Sequence, residues 1–168
     1  MDLLWAPWRS QYIESYSFDG DTNCFICDAI NDKSHDLERL VIYRSKLSIV
    51  LLNKYPYNGG HILIAPNEHL GEFEKISTET MADIMYLTKI SIMTLKALKH
   101  PDAFNVGMNL GRSAGAGLPG HIHQHIIPRW NGDTGFISTI CDTKVISEVM
   151  SKLQIAIKEE FYNQIQLK

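Results

Sequence analysis

Residues Gly120–Trp130 read GHIHQHIIPRW, a stretch in which three histidines are separated by single residues. Side chains on a β-strand point to opposite faces in turn, so His121, His123 and His125 would share one face, whereas a helix would turn His123 away from the other two. The isoleucines of the stretch favour a strand, and Pro128, which cannot donate to a ladder, predicts its end. The spacing therefore predicts a line of imidazoles long enough to span a phosphate group.

Two other interpretations of this histidine row stay open. A histidine is more often structural or merely exposed than catalytic, although three on one strand face stand where a β-protein usually places apolar or plain polar residues. Two histidines separated by one residue on a strand can also bind one metal ion, but the stretch itself supplies no carboxylate for such a site.

Length and composition limit the class of protein. A chain of 168 residues suits a single domain spanning residues 1–168. Its net charge of −3, with acidic and basic residues mixed, offers no basic field for nucleic-acid backbones. No apolar run approaches the ~20 residues that span a bilayer, and the first residues lack the basic start and apolar core of a secretion signal. We therefore expect a cytoplasmic protein that binds neither nucleic acid nor membrane.

The pattern along the chain predicts an α+β fold with a mainly antiparallel sheet. Residues 1–23 are rich in aromatic side chains and predict an arm packed on the body. A turn rich in Pro, Asn and Gly at 55–60 precedes a third strand, and a helix start at 77–80 precedes apolar residues at helical spacing. The expected elements are strands at 38–43, 47–53 and 61–65, a long helix ended by His100-Pro101, a strand at 103–109, the histidine strand, and, within a C-terminal extension at 131–168, a helix from Ser147 onward.

The segment His121–Ile127 resembles the signature of the histidine triad family, in which three histidines alternate with apolar residues and two more apolar residues follow. Gln124 is the one departure, and it would lie on the face opposite the histidines. Two further segments are similar to the family, the strand–turn–strand run Leu51–Pro66 and the loop Asn105–Gly115 before the triad. The resemblance is continuous from about residue 24 to 130 and implies the fold of that family.

The resemblance implies roles for the three histidines. The middle one, His123, would attack the α-phosphorus of a nucleotide and form a covalent nucleotidyl intermediate, which water or phosphate then resolves. His125 would hold the phosphoryl oxygens or the leaving group, and His121 completes the catalytic set. Imidazole suits this chemistry, because attack on a phosphoanhydride needs an unprotonated nucleophile in line and a pKa of about 6.5 leaves the ring largely neutral at cytoplasmic pH.

The resemblance also implies a nucleoside-binding set near the second strand. Asn53 matches the position that touches the ribose in relatives, and the apolar Ile42 and Leu51 would line a base pocket. Asn53 could instead simply cap its strand before the turn, which is a common use of asparagine. His61 is expected to pack or to support a catalytic residue.

Four glycines lie in residues 111–120, directly before the triad. Such a loop allows backbone N–H groups to approach a phosphate, or it simply connects two strands flexibly. The resemblance places Asn109 near the phosphates and Gly115 and Gly117 in the loop around them, although many relatives carry a hydroxyl residue where Gly117 stands. Trp130 would contribute to an acceptor-phosphate pocket or serve as a core anchor.

Cys24 and Cys27 are separated by two residues, a spacing that lets both thiolates bind one tetrahedral ion but supplies only half of a site. A buried thiol pair without metal is the alternative, and a redox pair is disfavoured because the strand-then-helix context is missing. The resemblance to zinc-bearing relatives implies that His69 and His121 complete the set, which would make the zinc structural, with no open position. No organic cofactor is expected.

Together these features predict an enzyme that cleaves dinucleoside polyphosphates such as diadenosine tetraphosphate, with phosphate or water as acceptor. LWAPWR at 4–9 and Arg129-Trp130 resemble the bacterial branch related to diadenosine tetraphosphate phosphorylases. Three alternatives stay open: hydrolysis of the P–N bond in adenosine phosphoramidates, a nucleotide-binding module with little turnover, and a metallohydrolase with the triad as metal ligands. The resemblance also implies a homodimer or a higher homo-oligomer.

Overall fold

Among the residues that the structure describes, five antiparallel strands form one sheet. The computed structural model describes residues 24–134 and 149–167, so the expected aromatic arm at 1–23 lies outside the described residues. The α+β fold with a mainly antiparallel sheet is confirmed, and the single domain over residues 1–168 stays a prediction. The strands are β1 (Val41–Arg44), β2 (Ser48–Leu52), β3 (Ile62–Pro66), β4 (Ala103–Met108) and β5 (Gln124–Arg129), and the α-helices are α1 (Phe25–Asn31), α2 (Thr78–Lys99) and α3 (Met150–Gln166). The strands lie side by side in the order β1-β2-β3-β5-β4.

The long helix α2 begins and ends where the sequence predicts. Ser77 caps its start, since the Ser77 Oγ accepts a hydrogen bond from the Thr80 N–H at 3.1 Å. It ends at His100, which takes the left-handed conformation (φ 46°) directly before Pro101. Helices α2 and α3 pack on one face of the sheet, which we call the helix face. No helix within the described ranges is long and apolar enough to cross a membrane.

The opposite face of the sheet carries the candidate site, and we call it the site face. Residues directly opposite each other on paired strands share a face. One such row, across β2, β3, β5 and β4, consists of Leu51, Leu63, His125 and Gly107. Helix α1 packs through Ile26 on the β1–β3 half of this face, and the row continues beyond α1 onto β5 and β4.

The three histidines do not form one continuous strand. β5 begins at Gln124, so His121 and His123 precede it, and the prediction of a strand through all three is wrong. The reason is a competing backbone partner, because the Ile122 N–H bonds to the Leu70 carbonyl at 2.8 Å. The chain before β5 is therefore bound to a loop rather than to the ladder of β3.

Pro128 lies inside β5, which runs on to Arg129, so the predicted strand end is wrong. The Pro128 carbonyl accepts a hydrogen bond from Asn58 Nδ2 at 2.9 Å. This bond lies on the side of β5 where β3 pairs only as far as Ile62, opposite Ile126. Because the nitrogen and carbonyl of a strand residue point to the same side, the missing N–H removes no ladder bond.

Gln124, the one departure from the apolar triad pattern, points to the helix face, as predicted. Its side-chain nitrogen donates to Thr88 Oγ1 of α2 at 2.6 Å, and the Thr88 hydroxyl donates to the Ile84 carbonyl at 2.7 Å. The polar side chain is therefore hydrogen-bonded within an otherwise apolar layer.

Candidate active site and metal cluster

His61 and His125 form a hydrogen-bonded pair on the site face. His61 is fully buried just before β3, and its Nε2 lies 2.9 Å from Nδ1 of His125. Nδ1 of His61 faces two nitrogens, the Tyr57 backbone N–H and Asn53 Nδ2, each at 3.2 Å. Because a backbone N–H can only donate, Nδ1 of His61 accepts, and its Nε2 carries the proton toward His125. A neutral His125 then carries its own proton on Nε2.

Burial keeps His61 neutral. Burial, followed by the proximity of His125 and His123, lowers the pKa of His61 to about 2. The sequence predicts a packing or supporting part for His61, outside the catalytic and binding sets, whereas in the structure it contacts His125 directly. One feature of the sequence does single out His61: it directly precedes the aliphatic run ILIAP, in which every residue is buried.

We expect His61 to make the stability of the protein depend on pH. Its pKa is lower in the fold than its ordinary value of 6.5, so protonation favours the unfolded chain. The contribution of the neutral His61 to the free energy of unfolding is complete above about pH 6.5 and is lost as the pH falls below that value. One pH unit costs at most about 1.4 kcal/mol, and the unfolded imidazole is already half protonated at pH 6.5, so wild type should lose about 1.6 kcal/mol more than His61→Gln between pH 6.5 and 5. Urea unfolding measures both losses, and equal losses would contradict the assignment.

His123 has the geometry of a nucleophile. It is only 7% exposed, and its Nδ1 donates to the carbonyl oxygen of His121 at 2.8 Å. Nδ1 therefore carries the proton, and Nε2 keeps a lone pair. Burial lowers the pKa of His123, which keeps this lone pair unprotonated at neutral pH. The ring centroids of His123 and His125 lie 5.0 Å apart, close enough for both rings to contact one phosphoryl group.

A second cluster, formed by Cys24, Cys27, His69 and His121, brings four potential ligand atoms within 4.8 Å of one another. Nδ1 of His121 lies 3.2 and 3.4 Å from Sγ of Cys24 and Cys27. Cys27 Sγ lies 3.1 Å from Nδ1 of His69. Nε2 of His121 lies 2.9 Å from the Pro66 carbonyl, an acceptor, so Nε2 carries the proton and the Nδ1 lone pair faces the sulfurs.

This donor set fits a tetrahedral zinc ion. Two thiolates and two imidazole nitrogens bind structural zinc with bonds of about 2.0–2.3 Å, which separate ligand atoms by roughly 3.3–3.8 Å. Three of the separations are 3.1–3.4 Å and all lie within 4.8 Å, so small shifts of the side chains would seat the ion. The ring of His121 therefore belongs to the Cys/His cluster, and its backbone carbonyl bonds to His123.

The first cleft, of about 190 Å³, opens at the end of β2, between the residues that precede β1 and those that follow β2. Phe25, Leu51 and Asn53 line it. Asn53 also caps its strand, since its Oδ1 accepts from the Tyr55 N–H at 3.0 Å. The predicted place of Ile42 in a base pocket is wrong, because adjacent strand residues alternate and Ile42 is fully buried in the core of the helix face.

The second cleft, of about 360 Å³, opens over β4 and β5. Asn105, Gly107 and His125 line it from the strands, and Asn109 and Gly115 line it from the glycine loop. Asn109 Nδ2 donates to the Gly115 carbonyl at 3.3 Å, and Gly115 has a φ of 89°, a conformation that favours glycine. The loop is thereby folded back beside the histidines.

Two other predicted binding residues lie outside this lining. Gly117, which follows the buried Ala116, is not one of the described residues that line the second cleft. Trp130 packs on the end of α2, where its Nε1 donates to the Lys99 carbonyl at 3.3 Å and the Lys99 ammonium lies 5.9 Å from the ring centroid. This contact agrees with the core-anchor alternative, and phosphate binding by Gly117 and Trp130 stays a prediction.

An antiparallel sheet that carries a buried histidine pair, a third buried histidine and a glycine loop on one face indicates a nucleotide-binding protein. The family model described as HIT domain matches residues 34–132, and the chain belongs to this histidine triad family.

Individual relatives cover most of the chain. The AP-4-A phosphorylase of Mycobacterium tuberculosis is 36% identical over 168 residues, covering 98% of this chain and 86% of that protein. The adenosine 5′-monophosphoramidase of Schizosaccharomyces pombe is 33% identical over 113 residues, covering 67% of this chain and 79% of that protein. A Zn-bound histidine triad family protein from Mycobacterium smegmatis shares the fold with a TM-score of 0.70 at 20% identity, covering 89% of this chain and all of that one.

Proposed function

We propose that this protein is a nucleotide hydrolase or transferase in which Nε2 of His123 attacks the α-phosphorus of a dinucleoside polyphosphate such as diadenosine tetraphosphate. The observation that carries the proposal is the hydrogen bond from Nδ1 of His123 to the His121 carbonyl, which leaves a neutral Nε2 lone pair beside His125. Membership of the HIT family and the similarity to the AP-4-A phosphorylase over nearly the whole chain support this substrate class.

The reaction has two displacement steps. In the first, a bond forms between His123 Nε2 and the α-phosphorus, and the bond to the bridging oxygen breaks, so that the electron pair leaves with the nucleoside polyphosphate. The ring of His123 gains a positive charge, which the His121 carbonyl stabilises at Nδ1–H, while His125 Nε2–H donates to a phosphoryl oxygen. In the second, phosphate or water attacks the same phosphorus, an attacking water releases a proton to solvent, and the N–P bond breaks with its electrons returning to His123.

A second candidate reaction is hydrolysis of adenosine phosphoramidates, which the similarity to the adenosine 5′-monophosphoramidase supports. The nucleophile is the same, but the leaving groups differ. A polyphosphate leaves as an anion without gaining a proton, whereas ammonia leaves only after its nitrogen has been protonated. Burial keeps His61 neutral, so His61 is not the source of that proton. The similarity to the AP-4-A phosphorylase over nearly the whole chain favours the dinucleoside polyphosphate.

We propose that the cluster of Cys24, Cys27, His69 and His121 holds one zinc ion. Four protein ligands leave no open position, so the ion would stabilise the fold and would not contact the substrate. The ligand separations, the orientation of the His121 ring and the zinc bound by the structural neighbour from M. smegmatis support this site. Reduced thiols suit the cytoplasm, which is where we place the protein.

We also infer a homodimer that forms along β4. This strand is the last in the sheet, so within the described part of the chain only one of its edges is paired. Val106 is 45% exposed and Leu110, just after the strand, is 50% exposed. An edge strand with exposed apolar residues is a template for pairing with a second copy.

Product analysis with diadenosine tetraphosphate tests the proposed function. Attack at the α-phosphorus releases ATP, and the retained AMP group then passes to phosphate to give ADP, or to water to give AMP. We therefore expect ATP as one product with either acceptor, and ADP in equal amount when phosphate serves as the acceptor. Chromatography with and without phosphate measures this. Formation of two ADP molecules without phosphate, which requires attack at the β-phosphorus, would contradict the proposal.

A further inference from the structure

Two clefts flank the histidines on the same face of the sheet. The cross-strand row begins with Leu51, which lines the first cleft, and ends with Gly107, which lines the second. His125 stands between them in the row. Strands lie about 4.8 Å apart, so the two ends of the row are separated by roughly 14 Å. The site is thus extended across the strands, with the reacting histidines near its middle.

Gly107 leaves the floor of the second cleft open. It lies directly opposite His125 on the neighbouring strand, and a Cβ atom built on it meets no other atom within 4 Å. Side chains directly opposite each other in an antiparallel pair have Cβ atoms about 4.5–5.5 Å apart. Any side chain at position 107 would therefore stand beside the His125 ring and fill this part of the cleft, while the fold itself would accommodate it.

The wall of the second cleft presents an oriented amide. The Asn105 Oδ1 accepts from Nη1 of Arg129 at 2.7 Å, and Arg129 is in turn held by Asp133, with Nε–Oδ2 and Nη2–Oδ1 distances of 2.6 and 3.0 Å. Because Arg129 uses the oxygen of the carboxamide, the Asn105 nitrogen is the end that can donate to a ligand. An amide donor suits phosphoryl oxygens.

We propose that the second cleft binds the leaving half of a dinucleoside substrate. This half is a nucleoside di- or triphosphate. Gly107 leaves room for it on the floor of the cleft, and Asn105 donates to its phosphoryl oxygens. The first cleft then holds the nucleoside whose α-phosphate is attacked. The proposal rests on the proposed function, since only a dinucleoside substrate has two such halves. It makes Gly107 and Asn105 specificity-determining residues for the length of the leaving group.

Binding measurements separate the two halves without requiring turnover. The probes are AMP, which reaches the first cleft only, and a diadenosine tetraphosphate analogue with methylene groups in place of the bridging oxygens. For Gly107→Val we expect the Kd of the analogue to rise at least tenfold while the Kd of AMP stays within twofold. Asn105→Ala should weaken the analogue at least threefold and leave AMP unchanged. Met85→Ala, on the exposed surface of α2 and outside the lining of both clefts, is the control and should change neither Kd.

Three results would overturn this assignment: an analogue that binds wild type no more tightly than AMP, equal weakening of both probes by Gly107→Val, or no effect of either variant on the analogue. Gly107→Ala provides a smaller side chain at the same position if the valine variant does not fold. Each of these results leaves the proposed function intact if wild type still converts diadenosine tetraphosphate to ATP. Absence of that turnover would instead contradict the proposed function itself.

Discussion

Replacing His123 by alanine should abolish turnover of diadenosine tetraphosphate while leaving the affinity for AMP within about tenfold, or about 1.4 kcal/mol. The variant lacks the only nitrogen that forms the proposed bond to phosphorus, but the two clefts and His125 are left in place. Steady-state turnover and calorimetric titration with AMP measure the two quantities separately. Loss of affinity in parallel with turnover would assign His123 to binding rather than to nucleophilic attack.

A matched control for this experiment is His100→Asn. His100 ends α2 in a left-handed conformation that asparagine tolerates, and it is exposed. We expect this variant to retain wild-type turnover. Normal turnover by His123→Ala would rule out the proposed mechanism, because no other residue is assigned to form the covalent intermediate.

Replacing Cys24 by serine should remove the zinc and strongly destabilise the fold. Cys24 is 7% exposed and begins α1, whose residue Ile26 packs on the sheet, so the metal would join this helix to the segment at His121. A ligand present at a thousand times its dissociation constant stabilises a protein by about 4 kcal/mol, and such a loss lowers the Tm by about 8–16 °C in a chain of this size. Metal analysis and thermal unfolding measure the two effects.

The control for the zinc prediction is His123→Ala, which should keep one zinc per chain because its ring is not a ligand. Equal zinc content and equal Tm in wild type and Cys24→Ser would contradict the metal site. A lower Tm in a protein that never contained zinc would instead support the alternative of a buried thiol pair.

The parts of the fold that the sequence predicts correctly depend on neighbouring residues along the chain. Helix α2 has a capping serine, Ser77, and a stop at His100-Pro101, and both boundaries lie where expected. The direction of Gln124 follows from strand alternation alone. The four zinc-ligand candidates also meet as the family resemblance implies.

The parts that the sequence does not predict depend on partners far away in the chain. The start of β5 is set by the loop at Leu70, and Pro128 is tolerated because β3 pairs no further than Ile62 on that side. The prediction that Ile42 lines a base pocket is wrong because the face that Ile42 takes depends on the register of β1, where a bulge follows Val41. The hydrogen bond between His61 and His125 was not predictable, because it joins residues 64 positions apart in the chain.

The central claim, a covalent nucleotidyl group on His123, is tested most directly by the stereochemistry of transfer. The substrate is diadenosine tetraphosphate with one non-bridging oxygen of each α-phosphorus replaced by sulfur in a single configuration, cleaved with phosphate as acceptor. Each in-line displacement inverts the phosphorus, so two successive displacements through His123 predict an adenosine 5′-thiodiphosphate with retained configuration. An inverted product would show a single direct displacement and would contradict the proposed intermediate.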